Sequence, residues 1–189
     1  SVLKALTTTS TDAITMTVNA EAASAATQAS DLVSLNGKTN QVITMTAVTK
    51  VSGSYADLLD VYVTNAGQYN GEGDEAVTIT GSVTATQADA IADVTSGVVT
   101  ATIDADTASA LNAALSDAQV NAYTLTISAG SAAATDLTSL DSKTSVAVNA
   151  AAVTVITGSA TEVAAAYAAN TAGTITGLGN ENVEITGTT

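Results

Sequence analysis

The chain contains no cysteine, proline, histidine, arginine, tryptophan or phenylalanine. Without cysteine it has no disulfide framework, no thiol nucleophile and no thiolate metal site. Without histidine it lacks the commonest general base and the commonest transition-metal ligand. Cationic residues are nearly as scarce: 4 lysines stand against 18 acidic residues, for a net charge of −14. That balance repels nucleic acid and anionic membrane surfaces, so neither is an expected partner. No apolar run reaches the ~18 residues a spanning helix requires, so membrane insertion is not expected either. A glycine-rich phosphate loop with its lysine is missing. No carboxylate pair stands out from the general acidity as an acid–base couple, and there is no aromatic platform for sugar stacking. The expectation is therefore a protein that is not an enzyme. The sequence opens at Ser1 without Met or a signal-like segment, which fits a mature product or a piece of a longer chain.

What is present is small and aliphatic. Hydrophobic residues make up 46% of the 189, but aromatics only 3%, all of them tyrosine. A core built from Ala, Val, Leu and Ile must be thin and closely layered, since nothing here fills a wide interior.

Self-comparison shows how those layers arise. Asp31-Leu32-Val33-Ser34-Leu35 returns as Asp136-Leu137-Thr138-Ser139-Leu140, and Lys38-Thr39 returns as Lys143-Thr144, at an offset of 105. Gly53-Ser54, Tyr62 and Asn65 match Gly158-Ser159, Tyr167 and Asn170 at the same offset. After one inserted residue, Gly73, Glu75, Val77 and Ile79-Thr80-Gly81 match Gly179, Glu181, Val183 and Ile185-Thr186-Gly187. The chain thus reads as one repeat domain over 1–189, roughly 1.8 copies of a unit of about 105 residues, with 1–83 a partial copy and 84–189 a full one. It starts in mid-unit with Val2, Leu3 and Leu6 and ends in Gly-Thr-Thr after a strand, so neither end carries a recognisable cap.

A shorter beat lies inside the unit. Alternating β-branched runs fall at 14–18, 42–46, 76–80, 99–103, 123–127, 146–150 and 182–186. Between them, Leu32/Leu35, Leu58/Tyr62, Leu111/Leu115 and Val163/Tyr167 are spaced three or four apart, as on a helix. Ser54-x-x-Asp57, Thr84-x-x-Gln87 and Ser159-x-x-Glu162 read as capping boxes or close variants. Lys38 and Lys143 fall at helix ends, where a cation complements the dipole. Repeated strand–helix pairs of this length bury a core only when stacked. The expected fold is an α/β solenoid of about seven coils, each a short parallel strand and a short helix, with a right-handed parallel β-helix as the alternative.

Two candidate surfaces follow. Alternation turns Thr15, Thr17, Thr44, Thr46, Thr78, Thr80, Thr100, Thr102, Thr124 and Thr126 away from the core. Stacking would arrange them as a Thr-x-Thr ladder on an exposed face, suited to plain solubility, to lateral packing, to surface glycans or to ice. The loop Asn70-Gly71-Glu72-Gly73-Asp74-Glu75 and its counterpart Gly177-Leu178-Gly179-Asn180-Glu181-Asn182 sit just before a strand in both copies. Glu72, Asp74, Glu75, Asn180 and Glu181 supply hard oxygen donors of the kind Ca²⁺ takes, and Ca²⁺ is the one cofactor to consider. A solvated polar turn is the simpler reading of the same loops. Asp104 and Asp106, just before the helical stretch at 107–116, read as capping residues.

The run Asp136-Leu-Thr-Ser-Leu-Asp-Ser-Lys-Thr144, with Val148 to Gly158 and Ala164-Ala-Ala-Tyr167, resembles repeats of very large secreted proteins of marine cyanobacteria and of other calcium-associated bacterial surface proteins. The resemblance implies a secreted, extracellular or cell-surface location, a role as stalk, adhesin or surface-layer component, and calcium dependence as an expectation to test. The chain departs from the calcium-repeat type in lacking tandem nonapeptides. A structural or adhesive module is the leading expectation. A self-assembling filament or surface-layer subunit, whose partners are neighbouring repeats or copies of itself placed end to end, is the competitor, and a glycan- or ice-binding module comes third.

Overall fold

The computed structural model describes residues 5–19, 25–116 and 119–187. Val2 and Leu3, part of the start expected to lack a cap, lie outside them. The chain divides into two compact units, one of residues 1–81 with 90–100 and the other of 82–89 with 101–189.

In the first unit, β1 (Met16–Thr17), β3 (Ile43–Thr44) and β5 (Tyr69–Asn70) form one parallel sheet. Strands β2 (Thr27–Gln28), β4 (Lys50–Gly53) and β6 (Ala76–Val83) belong to another. Helices α1 (Ala29–Asn36) and α2 (Tyr55–Leu59) start directly after β2 and β4, and α2 runs on into a π-helical turn at Asp60–Thr64. Helix α3 (Ala85–Ala92) and strand β7 (Val99–Ile103) follow β6. The second unit repeats the scheme. After α4 (Ala108–Ala114) and β8 (Ala122–Thr124) come β9 (Gly130–Ala133), α5 (Ala134–Lys143), β10 (Val148–Asn149), β11 (Val153–Gly158), α6 (Ala160–Ala172), β12 (Ile175–Thr176) and β13 (Asn182–Ile185). Strand β10 pairs with β12, and β9, β11 and β13 form a three-stranded parallel sheet.

The 105-residue offset is visible in the register. Ile43 faces Tyr69 and Val148 faces Ile175, while Val51 faces Val77 and Ile156 faces Val183. Buried Leu32 and Leu35 on α1 return as buried Leu137 and Leu140 on α5.

The expected single stack of about seven strand–helix coils is not what forms, nor is its β-helix alternative. Among the described residues the strands fall into four separate sheets of two to five strands, accompanied by six α-helices, in a mixed α/β arrangement. The physical reason is a bend inside each repeat. Val48 N–H donates to the Met45 carbonyl at 2.8 Å and Val153 N–H to the Ala150 carbonyl at 3.0 Å. These turns stop β3 and β10 after two residues and send β4 and β11 into a different sheet. Each turn of chain therefore carries two strands, and β2, β4, β5, β9, β11 and β12 escape a search for long Thr-alternating runs.

The helix starts are local and follow the sequence. Ser159 Oγ accepts from Glu162 N–H while Glu162 Oε2 accepts from Ser159 N–H, a complete capping box. Thr84 and Gln87 exchange the same pair, and Ser54 accepts from Asp57 N–H.

Where the chain leaves α1, α3 and α5, a threonine closes the turn. The buried Thr39 hydroxyl donates to the Ile14 carbonyl at 2.6 Å, and that of Thr144 to the Tyr123 carbonyl at 2.7 Å. Thr95 does the same to the Glu75 carbonyl at 2.7 Å. Each hydroxyl oxygen also accepts the N–H two residues on, from Gln41, Gly97 and Val146. The next residue's N–H binds the earlier strand as well: Asn40 to Asp12, Ser96 to Gly73 and Ser145 to Asn121, all to main-chain carbonyls. A buried donor–acceptor pair of this kind is costly to leave unmade. Thr144→Val, nearly the same shape, should lower unfolding stability by about 1–3 kcal/mol in urea melts, whereas Thr124→Val on an exposed position should stay within about 0.5 kcal/mol.

Candidate functional site

The two polar loops are built alike. Gly71 and Gly177 take positive φ of 90° and 88°. A Cβ on Gly71 would lie 2.7 Å from Thr46 Cα, and one on Gly177 2.6 Å from Ala151 Cα. Thr46 and Ala151 are themselves 105 apart, so the close approach is part of the repeat. Only glycine fits both the backbone angle and the space.

Beyond that glycine the loop is held by a glutamate folded back on it. Glu75 is fully buried, and its Oε2 accepts from Gly73 N–H at 2.8 Å and from the Tyr62 hydroxyl at 3.2 Å, while Oε1 is buried with no hydrogen-bond partner among the described residues. Glu181 repeats the pattern half-buried: Oε2 accepts from Gly179 N–H at 2.8 Å and Asn180 N–H at 3.0 Å, and Oε1 accepts from the Tyr167 hydroxyl. Two residues considered as calcium ligands are thus oriented toward their own loop amides and a tyrosine. Glu72 and Asp74 instead line an open recess of about 410 Å³ with Thr46, Gly71 and Gly73. Asn180 is exposed. Among the described residues no three His, Cys, Asp or Glu side chains converge closely enough to hold a metal ion.

The tyrosines register this electrostatics. Burial, reinforced by the negative charges of Glu75, Glu72 and Asp74, pushes the Tyr62 phenol far up. Burial and Asp60 do the same to Tyr69. The hydrogen bond to Glu181, aided by partial burial, pushes Tyr167 up to about 12. Burial works against ionisation of Glu181, yet the Tyr167 hydroxyl and the loop amides hold its carboxyl below the usual carboxylate range.

The threonines considered as a ladder are all exposed or half-buried, with buried neighbours between them. Their partners in register are mixed. Thr17 lies beside Thr44, but Thr44 lies beside Asn70, Thr78 beside Ser52, and Thr126 beside Asn149. Thr15, Thr46 and Thr80 are exposed, as are Thr100, Thr102 and Thr124. Asp106 Oδ1 accepts from Thr107 N–H, and Thr107 caps α4; Asp104 accepts from the Ser82 hydroxyl. Lys143 donates to the carbonyls of Asn112 and Leu115 at the C-terminal end of α4, and Lys38 to the carbonyl of Leu6. These carbonyl contacts and the Tyr–Glu pairing were not anticipated from sequence. The shared offset of Tyr62/Tyr167 and Glu75/Glu181 is the signal that could have revealed the pairing.

Glu75→Ala should cost about 2 kcal/mol in denaturant melts, because it leaves the Tyr62 hydroxyl and Gly73 N–H without their acceptor, and Glu181→Ala should cost less. A phenol held neutral contributes stability that is complete below its unfolded value near 10 and is lost as pH rises through its folded one. Stability should therefore hold to about pH 10 and fall as pH rises through the Tyr167 value of about 12, with part of the tyrosinate absorbance emerging only on unfolding. The Glu181 contribution has the opposite sense, present above the unfolded carboxyl value of ~4.3 and lost as pH falls through its lowered one. No protein-family model matches the chain, and neither a curated protein nor a solved structure matches it.

Proposed function

We propose that the chain is a non-catalytic structural or adhesive module of an extracellular bacterial surface protein. One observation carries this reading: what the 105-residue repeat preserves between its copies is structural hardware. The recurring residues are a turn glycine, a Tyr–Glu latch, a threonine lock and helix caps, each with an assigned hydrogen bond or close packing contact. The charge of −14 suits an acidic, soluble scaffold. For calcium, the candidate carboxylates that line the recess are Glu72 and Asp74. Antibodies raised against the chain should label unpermeabilised cells of the source bacterium; labelling that requires permeabilisation overturns the surface role.

The second reading is an extracellular filament or surface-layer subunit. It is favoured by the apolar residues Val183 and Ile185 exposed on the edge strand β13. Negative-stain electron microscopy of the purified chain separates the two. Discrete particles are expected of a module, whereas fibres of uniform width would establish the subunit.

A further inference from the structure

The two copies of the repeat differ most where one is covered and the other is not. In the first, Val77 and Ile79 on β6 are 1% and 4% exposed; in the second, their counterparts Val183 and Ile185 on β13 are 47% and 52% exposed. Every residue of β13 is exposed, and the strand lies at the edge of its sheet beside β11. The Tyr–Glu latch beneath follows suit, with Tyr62 and Glu75 buried and Tyr167 and Glu181 half-buried.

What covers the first copy is on view. Residues 90–100 belong to the same compact unit as Ala76–Gly81 of β6. From this segment Thr95 Oγ1 donates to the Glu75 carbonyl, Ser96 N–H donates to the Gly73 carbonyl, and the Val98 carbonyl accepts Val77 N–H at 3.0 Å. Gly97 lies flat on the Glu75–Ala76 peptide, since a Cβ there would come within 2.2 Å of the Glu75 oxygen. The same device recurs at Thr39-Asn40 over Asp12–Ile14 and at Thr144-Ser145 over Asn121–Tyr123. Among the described residues three strand entries carry such a lock. A fourth, Gly179–Val183, repeats the glycine, glutamate and valine of the Gly73–Val77 entry, with Gly179 and Val183 exposed and Glu181 half-buried.

We propose that the β13 edge, from Gly179 to Ile185, is a docking face for one further segment of the Ala90–Thr100 kind: a helix end followed by Thr-Ser-Gly-Val, its strand paired parallel to β13. The interface already exists once in the molecule, and its acceptors and donor recur at the open edge. Docking would bury Val183 and Ile185 as Val77 and Ile79 are buried, and close the Tyr167–Glu181 latch to water. The proposal rests on the reading of the chain as a module that meets neighbouring repeats, and it adds the chemistry of the neighbour.

The test is to extend the full chain after Thr189 with a second copy of residues 84–103, which continues the repeat in register. Hydrogen exchange of the Val183–Ile185 amides should slow by at least ~10-fold relative to the unextended chain. An extension with the glycine equivalent to Gly97 changed to leucine should not protect them, and neither should one of scrambled order. Unchanged exchange in the in-register extension, or equal protection by the scrambled one, overturns the proposal. Protection that appears in the unextended chain and rises with its concentration assigns the edge to whole copies of the chain and overturns it as well. None of these outcomes bears on cell-surface labelling, so docking and surface role fail separately.

Discussion

A chain that turns back every two dozen residues must satisfy the peptide groups at each bend, and in this protein threonine hydroxyls do so at three of them. Thr39, Thr95 and Thr144 each bridge a carbonyl at or just before an earlier strand and an N–H two residues ahead. The hydroxyl replaces a water that the closely packed interior would exclude. With the bend closed, the strand that follows falls into parallel register with its predecessor, and small aliphatics suffice as core. Without that closure, a layer of Val, Ile and Leu this thin has too little apolar area to hold the loops against it.

The second level of organisation depends on the first. Once β5 and β6 are placed, the loop between them must turn within a few residues, which calls for Gly71 beside Thr46 and a carboxylate to gather the loose amides. Charge here serves geometry. Glu75 and Glu181 bind their own loops, Asp57, Glu162 and Asp106 serve helix starts, and Lys38 and Lys143 reach main-chain carbonyls. A sequence this acidic invites a search for ligands, yet many of its carboxylates have main-chain partners within a few residues.

Local signals were legible in the sequence, and so was the long repeat. The boxes at Ser54, Thr84 and Ser159 depend on neighbours three residues apart; those at Thr84 and Ser159 form in full, and at Ser54 the hydroxyl takes the Asp57 N–H while the Asp57 carboxylate takes the hydroxyl. The alternating runs at 99–103 and 182–186 contain strands because alternation over five residues leaves little else. The division into several sheets was not legible, since it turns on the bends at Met45–Val48 and Ala150–Val153, which lack glycine and proline to mark them. Two-residue strands such as Tyr69–Asn70 carry no periodicity to read. Of the candidate loops, position and glycines were visible, but the direction of each glutamate depended on a tyrosine 13 or 14 residues before it.

The engagement of the lysines reaches beyond folding. Proteases that cut after cationic side chains have four target residues in the whole sequence. At Lys38 and Lys143 the ammonium group is already bound to main-chain carbonyls, and each residue sits at or next to a helix end that the adjoining threonine lock fastens down. To be cleaved there, the chain must first release the cation and open the bend, so digestion at these two sites is governed by local unfolding and not by encounter.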